Sequence, residues 1–302
     1  MTGEPIAVEF FSDGLRLAGD LFVPPELDDT GKAPGVVVCH GFGGIKQFFV
    51  GDIARALAGY GYVALTFDFR GFGESEGARN RLHPQEQVED MLAAVEFLAA
   101  DPRVHGDRIG LYGTSFGGGV AVAAACRDDR VGAAVCAVGI ADYGRWLRSL
   151  RRQWEWLEFE EELREDRRTR VLTGRSRVVE PEHIMVRDPH SMEHEIMLRE
   201  RYPARAFNLD LASADAIRAF APVREVESAP SVPPILFIGV VGDALTPYEE
   251  TLDFFDRCPG TKELLSISGI THHEMYQPQH LAGVIERVDG FLSKHLRAGD
   301  DE

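Results

Sequence analysis

The sequence predicts an α/β protein built on a mostly parallel central sheet with helices on both faces. Three observations predict it. Short continuous apolar runs recur along the chain, the pattern of strands buried on both faces. They alternate with segments of helical spacing. Loops carrying serine, histidine and aspartate fall just after several of these runs, at the carboxyl ends where open parallel sheets gather their chemistry.

Taken in order, Ala7 to Phe11 and Leu15 to Val23 alternate as two antiparallel strands joined at Asp13-Gly14. Pro24-Pro25 ends the second, and Glu26 to Lys32 is a polar loop. Gly35 to Cys39 is a buried strand leading into His40-Gly41-Phe42-Gly43-Gly44. Phe49 to Tyr60 has helical spacing. Tyr62 to Phe67 is a second buried strand, followed by Asp68-Phe69-Arg70-Gly71-Phe72-Gly73-Glu74-Ser75. Pro84 to Ala100 is an amphipathic helix with proline in its first turn and acidic residues in its first half. A short apolar run from Arg108 then meets Gly113-Thr114-Ser115-Phe116-Gly117 and an alanine-rich helical stretch, and Ala133 to Ile140 is another buried strand. After an interruption, Ile235 to Val241 restores the strand pattern and ends at Gly242-Asp243. A helix from Tyr248 to Cys258, a strand from Glu263 to Ile267, the segment Thr271-His272-His273-Glu274-Met275-Tyr276 and a last helix to Leu296 complete the core. The polar tail Arg297 to Glu302 is expected to fray.

The interruption divides the chain into a first core segment, 1–140, a helical cap, 141–228, and a second core segment, 229–302. The cap holds all three tryptophans, Trp146, Trp154 and Trp156, within one short helical stretch, with Tyr143 beside them. These aromatics either roof an apolar substrate pocket or form the cap's own small core. Arg145, Arg148, Arg151 and Arg152 precede an acidic run from Glu155 to Asp166, read as mutually paired, solvated faces. His190-Ser191-Met192-Glu193-His194 matches a zinc-protease pattern, but no third ligand can be singled out and the segment is highly polar, so no metal is expected.

Composition narrows the partners. The 302 residues carry a net charge of −17, which argues against nucleic acid and anionic membrane surfaces. The N-terminal residues lack the basic and apolar segments of a signal peptide, and no apolar run is long enough to span a bilayer. Cys39, Cys126, Cys136 and Cys258 show no metal or paired spacing, as expected of reduced thiols in a cytoplasmic protein. A small-molecule substrate without a cofactor is the expectation, and self-association is left open.

The chemistry centres on Gly-x-Ser-x-Gly. A strand that turns sharply into a helix pushes the Ser115 hydroxyl out of the corner, and only small residues fit at Gly113 and Gly117. A hydroxyl needs a base, an orienting acid and an oxyanion site to act as a nucleophile. Asp243 and the pair His272 and His273 follow later core strands, in the chain order Ser, Asp, His. At these positions the sequence resembles the α/β-hydrolase superfamily, and more closely the dienelactone-hydrolase-like and prolyl-oligopeptidase-like esterases with an inserted cap. The resemblance covers both core segments. It departs from dienelactone hydrolases proper, whose nucleophile is cysteine where this chain has Ser115, so lactone chemistry is not implied.

The resemblance implies Ser115 as nucleophile, Asp243 as orienting acid and a histidine as base. Related sequences read Thr-His-x-x-x-Tyr, which favours His272 with Tyr276, although His273 fits a shorter frame. The backbone N–H groups of Phe42 and Phe116 would form the oxyanion hole. His40 is expected to tie loops together, with Asp68 and Arg70 bracing the neighbouring loop. The function expected is hydrolysis of an ester, amide or thioester of an apolar or aromatic organic molecule through an acyl-enzyme, with Tyr143, Trp146, Trp154 and Trp156 contacting the substrate. Carbon–carbon bond hydrolysis or acyl transfer on the same residues is the alternative, and a non-catalytic binding protein a further one.

Overall fold

The computed structural model describes residues 4–28, 30–203 and 207–297. The tail beyond Arg297 lies outside the described residues. Two antiparallel strands open the chain, β1 (Ile6–Ser12) and β2 (Leu15–Phe22). Then come β3 (Ala33–Cys39), α1 (Val50–Gly59), β4 (Val63–Phe67), α2 (Pro84–Ala99), β5 (Val104–Thr114), α3 (Phe116–Ala125) and β6 (Val131–Ala137). The chain next leaves the sheet through α4 (Tyr143–Ser149), α5 (Gln153–Thr173), β7 (Val178–Val179), α6 (Pro181–Ile184), α7 (Pro189–Arg201), β8 (Leu209–Asp210), α8 (Ala212–Arg218) and α9 (Pro222–Ser228). It returns as β9 (Ile235–Val240), α10 (Tyr248–Arg257), β10 (Lys262–Ile267) and α11 (Pro278–Leu296).

Eight strands form one sheet in the order β1-β2-β4-β3-β5-β6-β9-β10, parallel from β4 through β10. The strand alternation sorts the core into two layers. Val36, Val38, Tyr112, Leu236 and Ile238 face α1 and α11. Val37, Cys39, Leu111 and Phe237 face α2 and α3 on the other side. After β3 the chain builds β4 on one side and, after α2, β5 on the other. The order therefore reverses between β3 and β5, and the crevice outside their carboxyl ends is where such sheets bind ligands.

Two local readings of the sequence need correction. In the run Ala133 to Ile140 the strand ends at Ala137: Val138 still donates its N–H to the Ile238 carbonyl at 2.7 Å, but its φ of 45° turns the chain out of the sheet. The tryptophans do not share one helix. Trp146 lies on α4, and Trp154 and Trp156 on α5, across a break at Leu150–Arg152. Arg151 fills that break. Its guanidinium packs 3.9 Å over the Phe159 ring and donates to the carbonyls of Leu147, His183 and Ile184 at 3.3, 2.5 and 2.9 Å. One buried arginine thus joins α4, α5 and α6. Burial lowers its pKa to about 10, which still leaves it charged at neutral pH.

Candidate active site

Ser115 caps α3 with φ 51° and ψ −123°, a backbone conformation that side chains other than glycine rarely take. The corner holds because its N–H donates to the Ala137 carbonyl at 2.8 Å and its own carbonyl accepts from Gly118 at 2.8 Å. It is closed on both sides by backbone. A Cβ on Gly113 would overlap the Gly117 carbonyl, and one on Gly117 would overlap the His40 carbonyl. The glycines of Gly-x-Ser-x-Gly are thus required by contact.

Asp243 and His272 meet across two loops. His272 Nδ1 lies 2.7 Å from Asp243 Oδ2 and 3.1 Å from the Thr246 hydroxyl. A carboxylate only accepts, so Nδ1 carries the proton. The Thr246 hydroxyl donates to the same Oδ2 at 3.0 Å, and the N–H groups of Leu245 and Thr246 donate to Oδ1 at 2.8 and 2.9 Å. Burial pushes the Asp243 carboxyl up, but the imidazole and these donors outweigh it and hold the pKa below the usual range. Ser115 and His272 line the same cavity.

Phe42 lines this cavity and packs edge-on against Phe116, with ring centres 5.6 Å apart. Phe116 is the first residue of α3, so its N–H has no acceptor within the helix. Phe42 sits inside a turn closed by the Gly44 N–H on the Gly41 carbonyl at 3.2 Å, which leaves the Phe42 N–H outside that bond. Gly43 takes a φ of +58° in this turn. His40 packs edge-on against Phe69, 4.8 Å between ring centres, and its Nδ1 donates to the Gly41 carbonyl at 2.9 Å.

The loop after β4 braces that turn. Asp68, fully buried, accepts the N–H groups of Lys46 and Glu74 at 2.7 and 2.9 Å. Lys46 pairs with Asp20 at 3.5 Å and with Glu74. Arg70 pairs with buried Asp90 at 2.7 Å and donates to Ser12 at 2.9 Å. Burial, only partly offset by the two N–H donors and Lys46, raises the Asp68 pKa to about 6. Between the unfolded value near 4 and about 6 the folded state therefore binds the extra proton. Asp68 should make stability fall as pH rises from about 4 to about 6, by up to roughly 3 kcal/mol, with no further change above. Urea unfolding at a series of pH values, for the native protein and Asp68→Asn, checks this: the variant should lose that part of the slope.

The helical segment between β6 and β9 completes the cavity, but not with the expected aromatics. Its contribution is Met185, Arg187, Glu195 and Leu198, facing Phe42, Phe48, Phe49 and Leu245 of the core. Arg187 pairs with Glu195 at 3.2 Å and Glu182 at 3.4 Å, while Arg199 reaches the same two carboxylates at 3.0 and 2.6 Å. Tyr143, Trp146, Trp154 and Trp156 do not line it. Tyr143 is fully buried, packs edge-on against the Phe116 ring and donates to the Phe116 carbonyl. Trp146 is also fully buried and donates to the Leu245 carbonyl at 2.9 Å. The guanidiniums of Arg148 and Arg218 lie 5.8 and 5.9 Å from the centre of the Trp156 ring, and Trp154 is exposed. Large rings here fill the joint between cap and core. His190 and His194, the metal-like pair, point elsewhere: His190 meets the Thr271 hydroxyl at 3.1 Å, and His194 stacks on His273 at 4.3 Å.

This sheet order, with a serine at a left-handed strand–helix corner, defines an enzyme of the α/β-hydrolase superfamily, in the serine hydrolase class. Within it, the chain belongs to the X-Pro dipeptidyl-peptidase (S15) family, whose model matches residues 13–280. It is similar to an uncharacterized 31.7 kDa protein of the traX-finO intergenic region of Escherichia coli, 29% identical over 88% of this chain and 92% of that one. It is 39% identical to the thiohydrolase aneE of Aspergillus aculeatus over 41% of this chain and 38% of the relative. The crystal structure of the α/β hydrolase GrgF from Penicillium superposes with a TM-score of 0.80 at 25% identity, covering 97% of this chain and 99% of that one. A Penicillium protein named polyketide transferase grgF is 36% identical over 45% of each chain. Among the described residues no helix is long and apolar enough to cross a membrane.

Proposed function

We propose that the chain cleaves an ester, thioester or amide of a small apolar organic substrate through an acyl-enzyme on Ser115. The observation that carries this reading is that Ser115 shares a cavity with His272, whose other ring nitrogen is held by Asp243. His272 Nε2 takes the Ser115 proton as the hydroxyl attacks, and returns it to the leaving group. Asp243 keeps the proton on Nδ1 and stabilises the imidazolium. The N–H groups of Phe42 and Phe116 receive the oxyanion. The apolar walls from Phe42, Phe48, Phe49, Met185, Leu198 and Leu245 suit an apolar acyl group. The cavity's charges are matched within the cap, Glu195 by Arg187 and Arg199, which favours an uncharged substrate over a peptide ammonium.

Acyl transfer on the same residues is the second reading. The cavity's exposed lining is largely apolar, and an acyl group that fills it would hold water back from the acyl-enzyme, as transfer to another acceptor requires; the name of the Penicillium relative agrees with this reading. A cytoplasmic location belongs to the reading as well, supported by four free cysteines. The test is labelling with a fluorophosphonate followed by peptide mass analysis, with hydrolysis of p-nitrophenyl esters of increasing chain length. Label on Ser115 together with turnover supports the acyl-enzyme. Label without hydrolysis, but with transfer to an added alcohol or thiol, supports the second reading. A folded protein that takes no label overturns both.

A further inference from the structure

His273 is an anomaly in this site. It is 8% exposed and lines the Ser115 cavity, yet neither of its ring nitrogens has a hydrogen-bond partner. Buried polar atoms are nearly always satisfied, and an exception calls for an explanation. The ring is held firmly, stacked on His194 at 4.3 Å and edge-on to His272 at 5.1 Å between centres. The Phe49 ring also stacks on it, at 6.3 Å, and none of these contacts uses its polar atoms.

We propose that His273 binds an uncharged oxygen, a hydroxyl or a ketone, on the acyl chain of the substrate near the carbonyl attacked by Ser115. The inference rests on the acyl-enzyme reading and names the substrate class within it. Burial and the neighbouring His272, His194, Arg187 and His190 keep His273 neutral, so it offers one N–H and one lone pair. A hydroxyl can answer either and a ketone the N–H. A carboxylate is disfavoured, because the nearby Arg187 already faces Glu195 and Glu182. The spacing between the two histidine rings corresponds to roughly two to four bonds along an acyl chain, since each carbon–carbon bond spans about 1.5 Å. The acyl side is the one concerned, because it stays on Ser115 inside the cavity while the leaving group departs.

The experiment compares kcat/KM for p-nitrophenyl butanoate, p-nitrophenyl 3-hydroxybutanoate and mono-p-nitrophenyl succinate. The native enzyme should favour the hydroxy ester over butanoate by about tenfold, the size of one buried neutral hydrogen bond, and should disfavour the succinate. His273→Phe should bring the hydroxy-to-butanoate ratio close to one, and His273→Gln, which keeps a donor and an acceptor, should recover part of it. The ratio is internal to each variant, so a partly unfolded preparation does not distort it. No preference in the native enzyme, a preference that survives His273→Phe, or a preference for succinate overturns the inference. Fluorophosphonate labelling of Ser115 in the same samples separates the two levels. A labelled enzyme without the preference loses this inference alone, and an unlabelled one loses the acyl-enzyme reading and this inference together.

Discussion

Replacing Ser115 with alanine should lower turnover of a p-nitrophenyl ester by about six orders of magnitude, to the level left by binding and the oxyanion donors. On the proposed mechanism the residues act as a unit: without Oγ, the His272 that Asp243 orients has no proton to take and no nucleophile to activate. The fold should persist. Alanine keeps the Cβ that already occupies the corner at φ 51°, and the bonds that hold the corner, to Ala137 and from Gly118, are backbone bonds. Circular dichroism and thermal unfolding should therefore match the native protein. Activity within a hundredfold of the native enzyme would move the nucleophile elsewhere.

Asp243→Asn should cost about four orders of magnitude in kcat with little change in structure. Two N–H groups donate to Oδ1, so an asparagine must keep its carbonyl oxygen there and turn its NH2 toward His272. Nδ1 then has to accept, the imidazole proton moves to Nε2, and the base faces Ser115 in the wrong tautomer. Thr246, whose hydroxyl also approaches Nδ1 at 3.1 Å, cannot replace the lost charge. The pH profile of kcat/KM and the imidazole NMR signals of the variant check the tautomer directly. Near-native turnover would remove Asp243 from the mechanism.

The core was legible because its signals are strong. Runs such as Val36-Val37-Val38-Cys39 read as strands buried on both faces, and the loops bearing Ser115 and Asp243 follow such runs, whereas the loop bearing His272 follows the half-buried edge strand β10. The strand–helix corner was readable from two glycines whose Cβ atoms have no room. The cavity's roof was not legible, for a physical reason. The buried face of α7 is Ser191, Glu195 and Leu198, a stripe of helical spacing with one apolar member, and hydrophobic periodicity cannot detect a face that is buried through ion pairs. The tryptophans drew attention for the opposite reason. Their size marks burial, but size alone does not say whether a ring faces a substrate or fills a joint, and Trp146 fills a joint. His273 was visible only as a rival to His272; its two unsatisfied nitrogens belong to the tertiary structure.

The crowding around Ser115 bears on how such a protein could change over generations. Gly41 leaves only 3.1 Å for a Cβ against that of Ser115, Gly44 only 2.8 Å against His40, and Gly113 and Gly117 leave none. A replacement at Gly113 or Gly117 breaks the corner, and one at Gly41 or Gly44 forces Ser115 or His40 to shift, so the half of the cavity that performs the chemistry tolerates little gradual variation. Met185 and Leu198 meet it from the inserted segment as side chains, so a change there alters the cavity wall without touching the backbone of the corner. Divergence in substrate preference among descendants of this chain should accumulate in α6, α7 and the turn between them, while the elbow beneath stays fixed. Libraries meant to redirect the enzyme should be drawn there.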